Sequence, residues 1–157
     1  MPYTSTRYLP IRDALFNLLR ADAVLSSEIR GWAKEMNLFE SFASTQLPAV
    51  AVVFAAPAGQ GSQRVGEEQA GWASSARDHT YLFHVFVATE SLDAQAAEDS
   101  CFTYLERAED VLRSNPTLSG VVRTIFSRVV RRDVQRRERA WRAQVVMEVR
   151  AEKSIAA

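Results

Sequence analysis

The residues able to do covalent or metal chemistry are few, and their spacing keeps them apart. The chain holds two histidines, His79 and His84, and a single cysteine, Cys101. An odd separation along a strand sends two side chains to opposite faces, so these histidines cannot share a metal ion or a proton relay. Each reads as a polar residue of a sheet rather than a ligand. Cys101 falls in the apolar stripe of a helix, where a buried thiol behaves as a small hydrophobe. Gly59-Gln60-Gly61 resembles a phosphate loop only superficially, because the GK[ST] ending and the strand-to-helix turn are missing. The acidic pairs Glu67-Glu68 and Glu109-Asp110 are sequence neighbours whose carboxylates do not converge, and both read as solvated. No catalytic residue, no cofactor and no metal site is expected.

The arginines are the other group with chemistry to offer. Arg128, Arg131, Arg132, Arg136, Arg137, Arg139 and Arg142 crowd one stretch and could hold phosphates, with Trp141 as a stacking platform. Trp141 alternates with Ala143, Val145 and Met147, however, which places it in a core instead. From Ser119 to Ala157, ten basic and four acidic residues give +6; the rest of the chain, with nine basic and fifteen acidic residues, gives −6. Such asymmetry fits a nucleic-acid surface, complementary faces that meet between identical subunits, or simply solvated strand faces.

These residues need elements to position them. With 157 residues, 47% hydrophobic and 24% charged, the chain suits one globular domain spanning 1–157. The start lacks the apolar run of a signal peptide. The longest apolar run, Pro48 to Ala58, is too short for a spanning helix, so no membrane is expected. A lone cysteine admits no internal disulfide.

Pro10 suits the first turn of a helix whose inner face is Ile11, Ala14, Leu15, Leu18 and Leu19. Asp22 can cap a second short helix. Gly31 to Gln46 reads as an irregular segment that lends Trp32, Met36, Leu38, Phe39 and Phe42 to the core. Pro48–Ala55 reads as a buried strand. A polar, glycine-punctuated stretch follows at 57–76, a long flexible loop. His79–Thr89 is a second strand that can pair with the first across that loop. His79, Tyr81, Phe83, Val85 and Val87 share one of its faces. Ser91 can cap a long helix that Asn115-Pro116 ends. Two long strands close the chain, with Arg131–Arg137 at the tip between them and Trp141, Ala143, Val145, Met147 and Val149 facing inward. The fold class is α+β: an antiparallel or mixed sheet of about four strands with helices packed on one face.

Several segments, taken in order, carry a resemblance. They are the leading helix Ile11–Leu19, then Ala21-Asp22-Ala23-Val24-Leu25, then Leu47-Pro48-Ala49-Val50, then the aromatic strand Tyr81–Thr89, then Asn115-Pro116-Thr117-Leu118-Ser119-Gly120 after a helix, and two final strands. Over nearly its whole length the chain resembles the tail terminator (tail completion, or minor tail) proteins of long-tailed phages, prophages and gene transfer agents. What the resemblance implies is a structural protein, with no reaction. It implies a ring, usually a hexamer, that caps the tail tube, stops its polymerisation and joins the tail to head-completion or neck proteins. Its partners would be further copies of itself, the tail tube protein and a head-completion or neck protein, with DNA passing through the lumen. Its place would be the tail–neck region of a virion assembled in the host cytoplasm. The alternative is a nucleic-acid-binding accessory protein that uses the arginine-rich C-terminal hairpin.

No signature motif fixes the contact residues of such a ring. The candidates between subunits come from charge and exposure. Val65 and Trp72 are large apolar residues in a polar loop and need something to bury them. Glu67 and Glu68 in that loop could face Arg131, Arg132, Arg136, Arg137 and Arg139 of a neighbouring copy.

Overall fold

The architecture follows from one strand that is apolar on both faces. The computed structural model describes residues 3–55, 67–69 and 78–154. Strand β2 (Ala49–Phe54) carries no charged residue, so it can only sit between two covered faces. Val50 and Val52 belong to the main core, and Ala49, Ala51 and Val53 to a second, smaller one. Around it the sheet runs β1 (Gly31–Ala33), β2, β4 (Asp78–Ser91), β6 (Ala140–Ser154), β5 (Thr124–Arg137), in that spatial order. Strand β1 runs parallel to β2 and the other neighbours are antiparallel, so the sheet is mixed. Strand β3 (Glu67–Gln69) pairs with β4 at Thr80 and Tyr81, just beyond the stretch taken by β2. Part of the 57–76 segment is thus strand, and the rest of it lies outside the described residues.

The fold is α+β, with helices packed against a mixed sheet. Three helices, α1 (Tyr8–Ala21), α2 (Ala23–Glu28) and α4 (Ala94–Arg113), cover one face. They do so because their apolar residues recur at helical spacing: Ile11, Leu15 and Leu19 on α1, and Ala97, Cys101, Leu105, Ala108 and Leu112 on α4. The sheet meets them with Tyr81, Phe83, Val85 and Val87 of β4 and Ala143, Val145, Met147, Val149 and Ala151 of β6. The inward row expected for the last strand is therefore the observed one. Asp22 ties the helices together. Its carboxylate accepts from Leu25 N as the α2 cap and from both Nε (3.0 Å) and a terminal nitrogen (2.6 Å) of Arg107 on α4. The hydrogen bonds from Arg107 hold the Asp22 carboxyl below the usual carboxylate range.

Three expectations need correction. Gly31–Gln46 is ordered rather than irregular: it forms β1, helix α3 (Met36–Glu40) and a 3₁₀ turn at Ser44–Gln46. Helix α3 brings Phe39 onto the opposite face of the sheet, against Phe86 of β4, and so covers one corner there. The long helix is capped by Asp93, whose carboxylate accepts from Ala96 N, and not by Ser91, which is the last residue of β4. Arg131–Arg137 is not a hairpin tip. Those residues are paired strand, and the tip is the two-residue turn Glu138–Arg139 between the Arg137↔Ala140 pair.

Candidate assembly surface

Strand β5 is an edge of the sheet, fourteen residues long and mostly exposed. A one-residue register shift between Val129 and Arg131 marks a bulge on it. An extra residue in one strand reverses which side chains face which way beyond it. Before the bulge Arg128 lies on the face opposite the helices, across from Glu148. After it, Arg131 and Arg137 stay on that open face, while Arg132 and Arg136 turn to the helix side. The bulge splits one run of arginines into two sets with different partners.

On the helix side the charges are used. Arg132 donates to both oxygens of Glu98 on α4, at 2.9 and 3.0 Å. The Arg136 guanidinium sits 5.9 Å from the Trp141 ring centroid. On the open face Arg128 pairs with Glu148 at 3.0 Å. Deeper in, Arg142 donates to Glu90 at 3.2 Å and to the Phe42 carbonyl at 3.5 Å, which ties β6 to the corner that α3 covers. Arg131, Arg137 and Arg139 make no ion pair within 4 Å among the described residues. Arg131 and Arg137 line a concavity of about 390 Å³ between α3 and the β5–β6 ladder, with Met36, Phe39 and Phe86 on its apolar side. Phe126, Val129 and Val130 are exposed along the same strand.

Of the remaining expected contact residues, Glu67 and Glu68 are not brought to this place within one copy. Glu67 pairs through its backbone with Tyr81, which is opposite Ala151, while the hairpin turn lies beside Trp141. Ten residues of β6 separate those positions, about 33 Å of strand. Within one copy, Glu67 and the Glu138–Arg139 turn thus sit at opposite ends of the ladder. Glu68 is beside Glu67 in β3; Val65 and Trp72 lie outside the described residues. Of the outward row of α4, the sequence singles out only Asp110, as part of a solvated pair with Glu109. Asp99, Glu106 and Asp110 stand opposite the buried row Ala97, Cys101, Ala108 and Leu112. The signal for it was the complement of the apolar stripe.

The reactive side chains are placed as their spacing requires. His79 is buried on the helix-covered face, stacked on Tyr81, and His84 is on the other face beside Phe86. Burial lowers the His84 pKa, against the pull of Glu148 across the ladder. Cys101 is fully buried, its thiol donating to the Val87 carbonyl at 3.0 Å. Burial pushes that thiol up to about 12, so it stays protonated at neutral pH. Among the described residues no group of three or more His, Cys, Asp or Glu side chains could hold a metal ion. No helix there is long and apolar enough to cross a membrane.

No family model matches this chain, and no curated protein matches it either. Among solved structures it is similar to a chain of the virion of a native gene transfer agent particle. The two are 16% identical, and the match covers 90% of this chain and 94% of that one with a TM-score of 0.40. No residue role is carried over from that likeness.

Proposed function

We propose that this protein is a structural component of a phage-like virion. In this reading it is a tail terminator whose copies close into a ring, usually of six, on the end of the tail tube. One face of the ring copies the docking surface of a tube ring, and the other accepts head-completion or neck proteins instead of another tube subunit. DNA passes through the lumen, the work is steric, and no reaction is involved. The order of segments that resembles tail terminators suggests the reading. The structural observation that carries it is the β5 edge: a long exposed strand on which Arg131, Arg137 and Arg139 make no ion pair among the described residues, beside exposed Phe126, Val129 and Val130. Charged and apolar groups side by side at a sheet edge suit a surface that is covered in an assembly. Val65 and Trp72, with Glu67 and Glu68, belong to the same reading as residues buried against a neighbouring copy.

Sedimentation and native mass measurement of the purified protein test it. A closed ring of fixed mass, seen as an annulus in electron micrographs, is the expected result. A monomer at every concentration would overturn the reading. Removal of residues 61–71, which takes strand β3 off the β4 edge, is expected to weaken assembly or tail joining, and monomer unfolding measured alongside separates lost assembly from lost fold. The same unpaired arginines favour the second reading, a nucleic-acid-binding accessory protein. That reading predicts DNA retention whose logarithm falls steeply and linearly with the logarithm of salt concentration.

A further inference from the structure

The β5 edge is basic and partly apolar, and a second surface of the same chain has the opposite character. On α4 the residues Asp99, Phe102, Glu106 and Asp110 recur at spacings of three and four, and so form one stripe along the helix. Asp99, Glu106 and Asp110 are exposed, and Phe102 keeps 37% of its surface in solvent. None of the three carboxylates makes an ion pair within 4 Å among the described residues. Along the helix the stripe from Asp99 to Asp110 spans about 16 Å. The Arg131–Arg137 row spans about 20 Å of strand. The lengths are comparable, and each row carries an apolar side chain close by: Phe102 in one, and Val130, 42% exposed at the bulge, beside the other.

Within one copy the two rows cannot meet. Arg132 reaches only the flank of α4, at Glu98, while the stripe points directly away from the core. Resting on the ring reading above, we propose that the β5 edge of one copy docks against the α4 stripe of the next. The guanidinium groups of Arg131, Arg137 and Arg139 meet the carboxylates of Asp99, Glu106 and Asp110, and Phe102 is covered by Val130 at the bulge. Charge also sets the symmetry. Two β5 edges would oppose arginine to arginine, and two α4 stripes carboxylate to carboxylate, so self-complementary pairing is penalised. Only unlike surfaces join, which makes the contact head-to-tail, the kind that closes into rings.

Charge reversal tests this on the intact chain. One variant carries Asp99→Lys, Glu106→Lys and Asp110→Lys; the other carries Arg131→Glu, Arg137→Glu and Arg139→Glu. All six positions are exposed, and far-ultraviolet circular dichroism with thermal unfolding checks that each variant folds. Each alone is expected to weaken assembly at least about a hundredfold, since like charges then oppose each other across the joint. Mixed together, the two should restore rings of alternating composition, because each supplies the surface the other now needs. High salt should weaken both the wild-type and the mixed rings. Assembly of either folded variant at wild-type strength overturns the proposal, and so does a mixture that stays dissociated. If Glu67→Lys with Glu68→Lys breaks the ring while the α4 variant does not, the acidic partner is the 67–69 strand and the α4 assignment is wrong. A wild-type chain that never assembles overturns the ring reading itself, an outcome separate from a ring that survives charge reversal. Loss of DNA retention in the arginine variant with assembly intact likewise rules the joint out.

Discussion

The two faces of the sheet share every strand of the ladder but divide the work. Toward α1 and α4, β4 and β6 present Tyr81, Phe83, Val85, Val145, Met147 and Val149, all essentially without solvent exposure. On the other side, α3 covers only the corner over β1, β2 and part of β4. There β6 presents Gln144, Glu148 and Arg150, and β5 presents Phe126, Arg128 and Arg131. A pleated strand can serve a dry core and a wet surface at once because successive side chains alternate. Buried apolar side chains are therefore concentrated on the helix-covered face, and exposed charges on the open face and the β5 edge. Substitutions on the two sides should separate stability from assembly.

The largest effect is expected at Phe83, which is fully buried and packs on Phe54 with ring centroids 5.7 Å apart. Phe83→Ala should destabilise the fold by about 3–5 kcal/mol, the loss of a large core ring plus the cavity left behind. Urea unfolding followed by circular dichroism measures it. A cost below about 1 kcal/mol would mean that the helix-covered face is not where the stability resides.

Cys101 comes next. Cys101→Ser puts a hydroxyl into an apolar stripe, though the Val87 carbonyl remains as an acceptor. A cost of about 1–3 kcal/mol is expected, with the assembly proposed above unchanged. His84→Ala on the other face should likewise spare function. A folded Cys101→Ser or His84→Ala protein that had lost function would contradict the non-enzymatic reading.

How much of this division was legible in the sequence depended on the kind of signal. The alternation along β4 and β6 gave the correct inward row, because period-two burial is local to a strand. Asp22 as the α2 cap was equally legible, since a cap bond joins residues three apart. The β1–α3 segment was not, because its elements exist through distant contacts. Gly31 is an example: a side chain there would meet the Gln46 carbonyl oxygen at 2.7 Å and the Phe42 ring at 2.9 Å. The charge pattern of the β5 edge was half legible. The arginines were counted correctly, but the bulge between Val129 and Arg131 decides which of them pair, and no residue type announces a bulge. The outward acidic row on α4 is the complement of the apolar stripe Ala97–Leu112 and is read only once that stripe is placed.

Asp22 allows a pH test of the helix side. Its carboxyl is held low chiefly by hydrogen bonds from Arg107. A carboxyl lowered in the folded state adds stability above its unfolded pKa of about 3.9. That contribution is lost as pH falls from there through the lowered folded value. Asp22→Asn keeps a capping oxygen but removes the charge. The stability gap between wild type and Asp22→Asn should be constant near neutrality, of the order of 1 kcal/mol, and should shrink below about pH 4. A gap unchanged down to pH 2.5 would place the cost elsewhere than in the carboxylate.

The smallest effect is expected at the hairpin turn, where it also carries the sign opposite to the rest. Glu138 closes the two-residue turn between β5 and β6 with φ at 52°, in the left-handed region where a Cβ crowds the backbone. The turn lacks the Asn-Gly or Asp-Gly that usually occupies such a position, which is why the tip was misplaced among the arginines in the sequence. Glu138 is exposed and makes no ion pair among the described residues. Glu138→Gly therefore relieves strain without removing a contact, while the freer unfolded glycine takes back part of the gain. A net stabilisation of up to about 1 kcal/mol is expected in urea unfolding. Because Arg131, Arg137 and Arg139 are unaltered, assembly should keep its wild-type salt dependence. If Glu138→Gly instead loosens the ring while raising monomer stability, the turn itself is part of the joint and the boundary between the stable face and the recognition edge runs through the hairpin tip.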